Sequence, residues 1–173
     1  MDIAQNSIKA EARNVVVEIK NIGDKIVMLI EDDGCGMDKE IVKRVTDPFY
    51  TTRTTRKVGL GIPFLKQHAE QTGGEVTIFS EKGIGTKLTA TFVTSNIDCP
   101  PVGDIHVTIA LLITGNPGVN FVFSYLKDAK EYGLTTIDIK EAIGDFDISM
   151  PKVTGFIKEM IKENLLNIGV EFN

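Results

Sequence analysis

Glu31-Asp32-Asp33-Gly34-Cys35-Gly36-Met37 follows directly on an apolar run, residues 26–30, and sets a carboxylate and two glycines at the C-terminal edge of an expected strand. That arrangement suits a flat base with an exocyclic amine. Asp32 can accept a hydrogen bond from such an amine, while Gly34 and Gly36 let the backbone approach a ring with no Cβ in the way. Taken alone, the same Asp-x-Gly-x-Gly spacing also describes a surface turn or part of a calcium loop. Further pieces stand around it. Upstream is Asp2-Ile3-Ala4-Gln5-Asn6-Ser7-Ile8-Lys9-Ala10; downstream are Asp47-Pro48-Phe49-Tyr50-Thr51-Thr52, Val58-Gly59-Leu60-Gly61-Ile62 and Gly83-Ile84-Gly85-Thr86.

Hydrophobic periodicity places these pieces on elements. Ile3, Ala4 and Ile8 give residues 2–12 a helical stripe, and the β-branched runs 15–19 and 26–30 read as a hairpin across residues 21–24. Asp38 is the expected cap of a helix over 39–45, and Gly59 opens another that runs to Gln71 and stops at Thr72-Gly73-Gly74. Residues 75–80 and 86–93 alternate as a second hairpin. Between 46 and 58 no amphipathic period exists, so this stretch reads as a loop. Composition shifts at 96–101, dividing the chain into 1–95 and 96–173. Beyond that point, Asp104 and Gly115 bracket an expected helix, although Ile105, Val107, Ile109, Leu111 and Ile113 also fit a strand. A third hairpin (119–125 with 131–134), a short helix (136–143) and a final helix capped by Ser149 follow. The last carries Val153, Phe156, Ile157, Met160, Ile161 and Leu165 at helical spacing.

A chain of 173 residues can bury a sizeable core. Cys35 and Cys99, with no apolar leader after Met1, point to a reducing cytoplasm and away from disulfides or a zinc site. The apolar stretch 105–113 contains His106 and Thr108 and is too short to cross a bilayer. A net charge of −5 disfavours nonspecific nucleic-acid or membrane-surface binding. Locally the sign reverses: Arg53, Arg56 and Lys57 precede Gly59-Leu60-Gly61. A short basic run ordinarily faces water, but a glycine turn at a helix start adds free N–H groups and shifts the expectation to phosphate.

In this order and at these spacings, the pieces resemble the ATP-binding domain shared by sensor histidine kinases, gyrase-type topoisomerases, heat-shock chaperones and mismatch-repair ATPases, the GHKL or histidine-kinase-like superfamily. The resemblance covers residues 1–93. It implies an α+β fold: a two-layer α/β sandwich whose mixed, mostly antiparallel sheet is covered on one face by helices. It implies ATP and Mg2+ as ligands, with Asn6 on the metal and Asp2, where many members carry glutamate, polarising the attacking water or hydroxyl. Asp32 would accept from the adenine amine, directly and through a water shared with Thr86. Gly34 and Gly36 would give access, with Met37 on the base or in the core. Lys9, Thr51, Thr52, Arg53, Lys57, Gly59, Leu60 and Gly61 complete the expected nucleotide-binding set, and residues 46–58 correspond to the mobile ATP lid. In the superfamily the first helix begins earlier, so Met1 reads as a truncated or late start.

Residues 96–173 are similar to an extension of stand-alone bacterial ATP-binding proteins. The implied activity is phosphotransfer in trans to a protein partner, or slow ATP hydrolysis, in a cytoplasmic signalling pathway, with no nucleic acid and no membrane involved. The alternative is an ATP-gated protein-binding switch without turnover. Neither His68 nor His106 has the setting of a phospho-accepting histidine, and nothing basic beside Cys35 argues for a reactive thiol.

Overall fold

β-branched runs and tight turns build the sheet from the centre outward. A computed structural model describes residues 1–47 and 60–172. The first hairpin joins β1 (Asn14–Ile22) to β2 (Lys25–Asp32), and the second joins β3 (Val76–Glu81) to β4 (Gly85–Val93). β4 docks antiparallel on β2. The later segment adds β5 (Asn120–Lys127) and β6 (Lys130–Thr135), and β5 runs parallel to β1 in a register that sets Val15 beside Phe121 and Val17 beside Phe123. The result is one six-stranded sheet in the order β3-β4-β2-β1-β5-β6. Among the described residues its only parallel pair is β1·β5, as the mixed, mostly antiparallel expectation requires.

The two faces of the sheet differ in the way period-2 alternation demands. Val15, Val17, Ile19, Ile30, Leu88, Ala90, Phe121, Phe123, Tyr125 and Leu134 point to one side and are buried. The opposite side carries Glu18 and Lys20 as an ion pair and Glu31 paired with Lys87 across the strands. Helices cover the apolar side: α1 (Asp2–Lys9), α2 (Lys39–Arg44), α3 (Gly61–Gln71), α4 (Ile105–Gly115), α5 (Thr136–Ile143) and α6 (Pro151–Asn167). Ile109 and Ile113 of α4 and Ile157, Ile161 and Leu165 of α6 join β1 and β5 in one core.

Several expectations change in detail. α1 ends at Lys9 and not at Ala12, because Glu11 takes φ 60° and turns the chain so that buried Ala12 can lead into β1. α3 begins at Gly61, with Leu60 as a cap that makes no side-chain hydrogen bond, while Gly59 lies outside the described residues. The ambiguous stretch 105–113 is helical: Ile109, Leu112 and Ile113 share its buried side, and Leu111, which a strand would have placed with Ile109, is 47% exposed. Asp104 precedes this helix without capping it through its side chain. Ser149 does not cap α6 either. Its hydroxyl and N–H both bond Asp147, Met150 takes the cap position, and Pro151, which has no N–H to satisfy, opens the helix. Phe156 sits on the solvent side of α6, 61% exposed. His106 is buried, its ring meets Phe172 edge-on at 4.7 Å, and Nδ1 has no hydrogen-bond partner among the described residues.

Candidate nucleotide site

Strand register composes the floor of a cavity of about 390 Å³ between the sheet and α1, α2 and α3. Asp32 on β2 lies directly across from Thr86 on β4, which lies across from Ser80 on β3. Two residues further in, on the same face, the strands align Ile30, Leu88 and Ile78. A polar row thus closes the end of an apolar row. Met37, Ile41 and Val45 form the opposite wall. Volume and lining suit a flat, largely apolar ring with one polar edge.

Asp32 is held at both oxygens. The Ser7 hydroxyl donates to Oδ2 at 2.6 Å, and the Gly34 N–H donates to Oδ1 at 3.0 Å. Each oxygen keeps a lone pair for a further donor. Its neighbour Asp33 does something else: it accepts from the N–H groups of Arg13 and Asn14 and from the Asn14 side chain, tying the loop to the start of β1. The Asn14 backbone N–H, more than any other group, holds the Asp33 carboxyl below the usual carboxylate range. Two adjacent aspartates therefore have separate employment, one facing the cavity and one fastening the fold.

The glycines owe their identity to backbone approaching backbone. A Cβ on Gly34 would sit 2.7 Å from the Ala10 carbonyl oxygen, and one on Gly36, where φ is +62°, would fall 2.0 Å from that of Glu81. The loop is clamped from both sides: Cys35 N–H donates to Ala10 O, and Gly83 N–H donates to Cys35 O, each at 2.8 Å. Gly34 itself does not line the cavity, whereas Cys35, Gly36 and Met37 do.

The helical residues converge from the other side. Asp2, Asn6 and Lys9 all border the cavity, as spacings of four and then three residues on α1 allow. Asp2 lies against the start of α3, where a Cβ on Gly61 would come within 3.1 Å of its own Cβ. Gly61 borders the cavity with Ile62, and Leu60 does not. The described structure thus brings Asp2, Asn6, Lys9, Asp32, Gly36, Met37, Gly61 and Thr86 around one space. Thr51, Thr52, Arg53, Arg56, Lys57 and Gly59, with most of the stretch read as a lid, lie outside the described residues.

Two residues in the site escaped the sequence reading. Ser7 follows Asn6 directly and is buried against Asp32. Ser80 accepts from Met37 N–H at 2.8 Å and contacts the Thr86 hydroxyl at 2.8 Å. A serine on the inward face of a strand otherwise lined by Val76 and Ile78 is the signal that could have found the second.

A family model described as histidine kinase-, DNA gyrase B- and HSP90-like ATPase matches residues 1–96. Sporulation kinase E of Bacillus subtilis is 35% identical over 89 residues, which are 50% of this chain and 12% of that protein. The sensor histidine kinase YxdK of the same organism is 32% identical over 75 residues, 41% of this chain and 23% of that one. The aligned stretches thus span less than a quarter of these relatives. Among solved structures, the N-terminal domain of a DNA repair protein superposes with a TM-score of 0.56 at 14% identity, covering 83% of this chain and 55% of the other. That coverage exceeds the family match, so the likeness in fold continues beyond residue 96.

Proposed function

The chain belongs to the histidine kinase-, DNA gyrase B- and HSP90-like ATPase family, and from that premise we propose that it binds ATP with Mg2+ and transfers phosphate to a protein partner in trans, or hydrolyses ATP slowly, in a cytoplasmic signalling pathway. The observation that carries the reading is the cross-strand pair Asp32–Thr86 at the end of an apolar floor, with the Asp32 oxygens already fixed by Ser7 and Gly34. Such an edge receives the adenine amine and leaves a 6-oxo purine facing lone pairs. Asn6, an oxygen ligand suited to a hard cation, holds the metal from α1. Asp2, on the same helix face, takes the proton of the attacking hydroxyl or water. Bound ATP supplies the transferable phosphoryl group. Lys9 and the first N–H groups of α3 at Gly61 add positive potential at the phosphate end. Among the described residues no helix is long and apolar enough to cross a membrane.

A second reading, an ATP-gated protein-binding switch without turnover, draws support from Asp2. This carboxylate is exposed in the first turn of α1 and is one methylene shorter than glutamate. Phosphate release separates the two readings. Calorimetry separates both from no nucleotide function: ATP should bind well above GTP, and Asp32→Asn should weaken ATP by about 1–3 kcal/mol, because the amide can turn its N–H groups toward the adenine amine. Equal affinity for ATP and GTP would remove Asp32 from the base site.

A further inference from the structure

Three polar contacts converge on Ser80 Oγ: Met37 N at 2.8 Å, the Gly85 carbonyl oxygen at 2.9 Å and Thr86 Oγ1 at 2.8 Å. A hydroxyl has one proton and two lone pairs. The Met37 N–H takes one lone pair. If the Ser80 proton went to Thr86, the Gly85 and Ser80 oxygens would face each other at 2.9 Å with no proton between them. All three contacts become hydrogen bonds in one arrangement only: Ser80 donates to Gly85, and Thr86 donates to Ser80. The single proton of Thr86 is then turned away from the cavity, and its oxygen presents lone pairs to whatever lies there. Asp32, directly across the ladder, presents lone pairs as well.

We propose that Ser80, which does not itself line the cavity, determines the base specificity of the site by accepting the Thr86 proton. This rests on the nucleotide reading above and deepens it. With Thr86 fixed as an acceptor, the polar row matches a 6-amino purine, whose two amine protons find Asp32 and Thr86. A 6-oxo purine brings an oxygen against the Thr86 oxygen and finds no proton there. Were Ser80 only a strut for the β3–β4 turn, the Thr86 hydroxyl could rotate and donate to either base.

The test is calorimetric titration of the full chain with Mg·ATP and Mg·ITP, the latter carrying a 6-oxo group and an N1–H in place of the 6-amine and the N1 lone pair, without adding a 2-amino group. Thr86→Val keeps the shape and removes the hydroxyl. It should lower ATP affinity several-fold and raise ITP affinity, shifting their ratio by about tenfold in total. Ser80→Ala should shift the ratio in the same direction, and should shift it no further in a Thr86→Val background. A parallel loss of ATP and ITP affinity in Thr86→Val overturns the proposal, as does an unchanged ratio in Ser80→Ala. Should Ser80→Ala fail to fold, the sign of the ITP change in Thr86→Val decides alone. Absence of ATP binding by the parent chain overturns the nucleotide reading itself, a result distinct from measurable ATP binding with the wrong sign for ITP.

Discussion

Gly36 is glycine for a reason besides ring access. Glycine there was expected to admit a ring, and the structure shows what its missing Cβ avoids first: the Glu81 carbonyl oxygen, 2.0 Å from where that atom would be. Its φ of +62° adds a second penalty for any L side chain. Gly36→Ala should therefore cost stability as well as ligand affinity, by more than the roughly 1 kcal/mol that a strain-free glycine-to-alanine replacement gains. Urea denaturation without nucleotide checks this, and a midpoint equal to that of the parent chain would show the loop free to move away from β3. Asp32 was legible because a carboxylate is unusual beside apolar strand residues, whereas Thr86, an ordinary strand residue, stood out only through the resemblance. Ser7 and Ser80 were not, because a serine's partner depends on register, and register is a property of paired strands and not of either one.

At the scale of the element, α1 gathers chemistry that the linear chain only spaces. Asp2, Asn6 and Lys9 face the cavity while Ala4 and Ser7 are buried, so one short helix bears the proposed metal ligand and, one residue on, the hydroxyl that holds Asp32. The proposed base end and phosphate end of the site are thereby set by one helix. Asn6→Ala should abolish the enhancement of ATP binding by magnesium and leave metal-free ATP affinity within about 0.5 kcal/mol, the range of a substitution that touches no packing. Titrations with and without magnesium provide the measurement. A magnesium effect of undiminished size in the variant would return Asn6 to an ordinary polar role. The helix ends were less legible than the helices. Capping at α5 follows the familiar rule, with Thr135 and Asp138 exchanging bonds, whereas at α6 Asp147 draws Ser149 away and Pro151 makes a side-chain cap unnecessary.

Across the whole molecule, the segment after residue 96 completes the sheet that begins near the N-terminus. Pairing with β5 turns β1 from an edge into an interior strand, and α4 and α6 roof the core that Phe121, Phe123 and Tyr125 extend. Composition shifts near residue 96 but cannot show a parallel pairing over a hundred residues of separation. The same roof buries His106 against Phe172, and burial, the largest influence, lowers its pKa below 6.5. Asp104 and Glu159 favour its charged form, and Lys162 and Lys158 oppose it. Above pH 6.5 the ring is neutral both folded and unfolded, and stability is unaffected. As pH falls below that value the unfolded chain takes up a proton that the folded one refuses, so stability declines, by at most roughly 1.4 kcal/mol per pH unit from this group, until the folded pKa is reached. Asp33 acts lower: its folded pKa lies below 3.8, so the stability it contributes is present above that value and is lost as pH falls through the folded pKa. His106→Phe retains a ring against Phe172 and cannot titrate. Urea midpoints measured from pH 7.5 to 5 should slope downward in the parent chain and flatten in this variant, and an identical slope in both would show that His106 is not the group whose protonation loosens the roof.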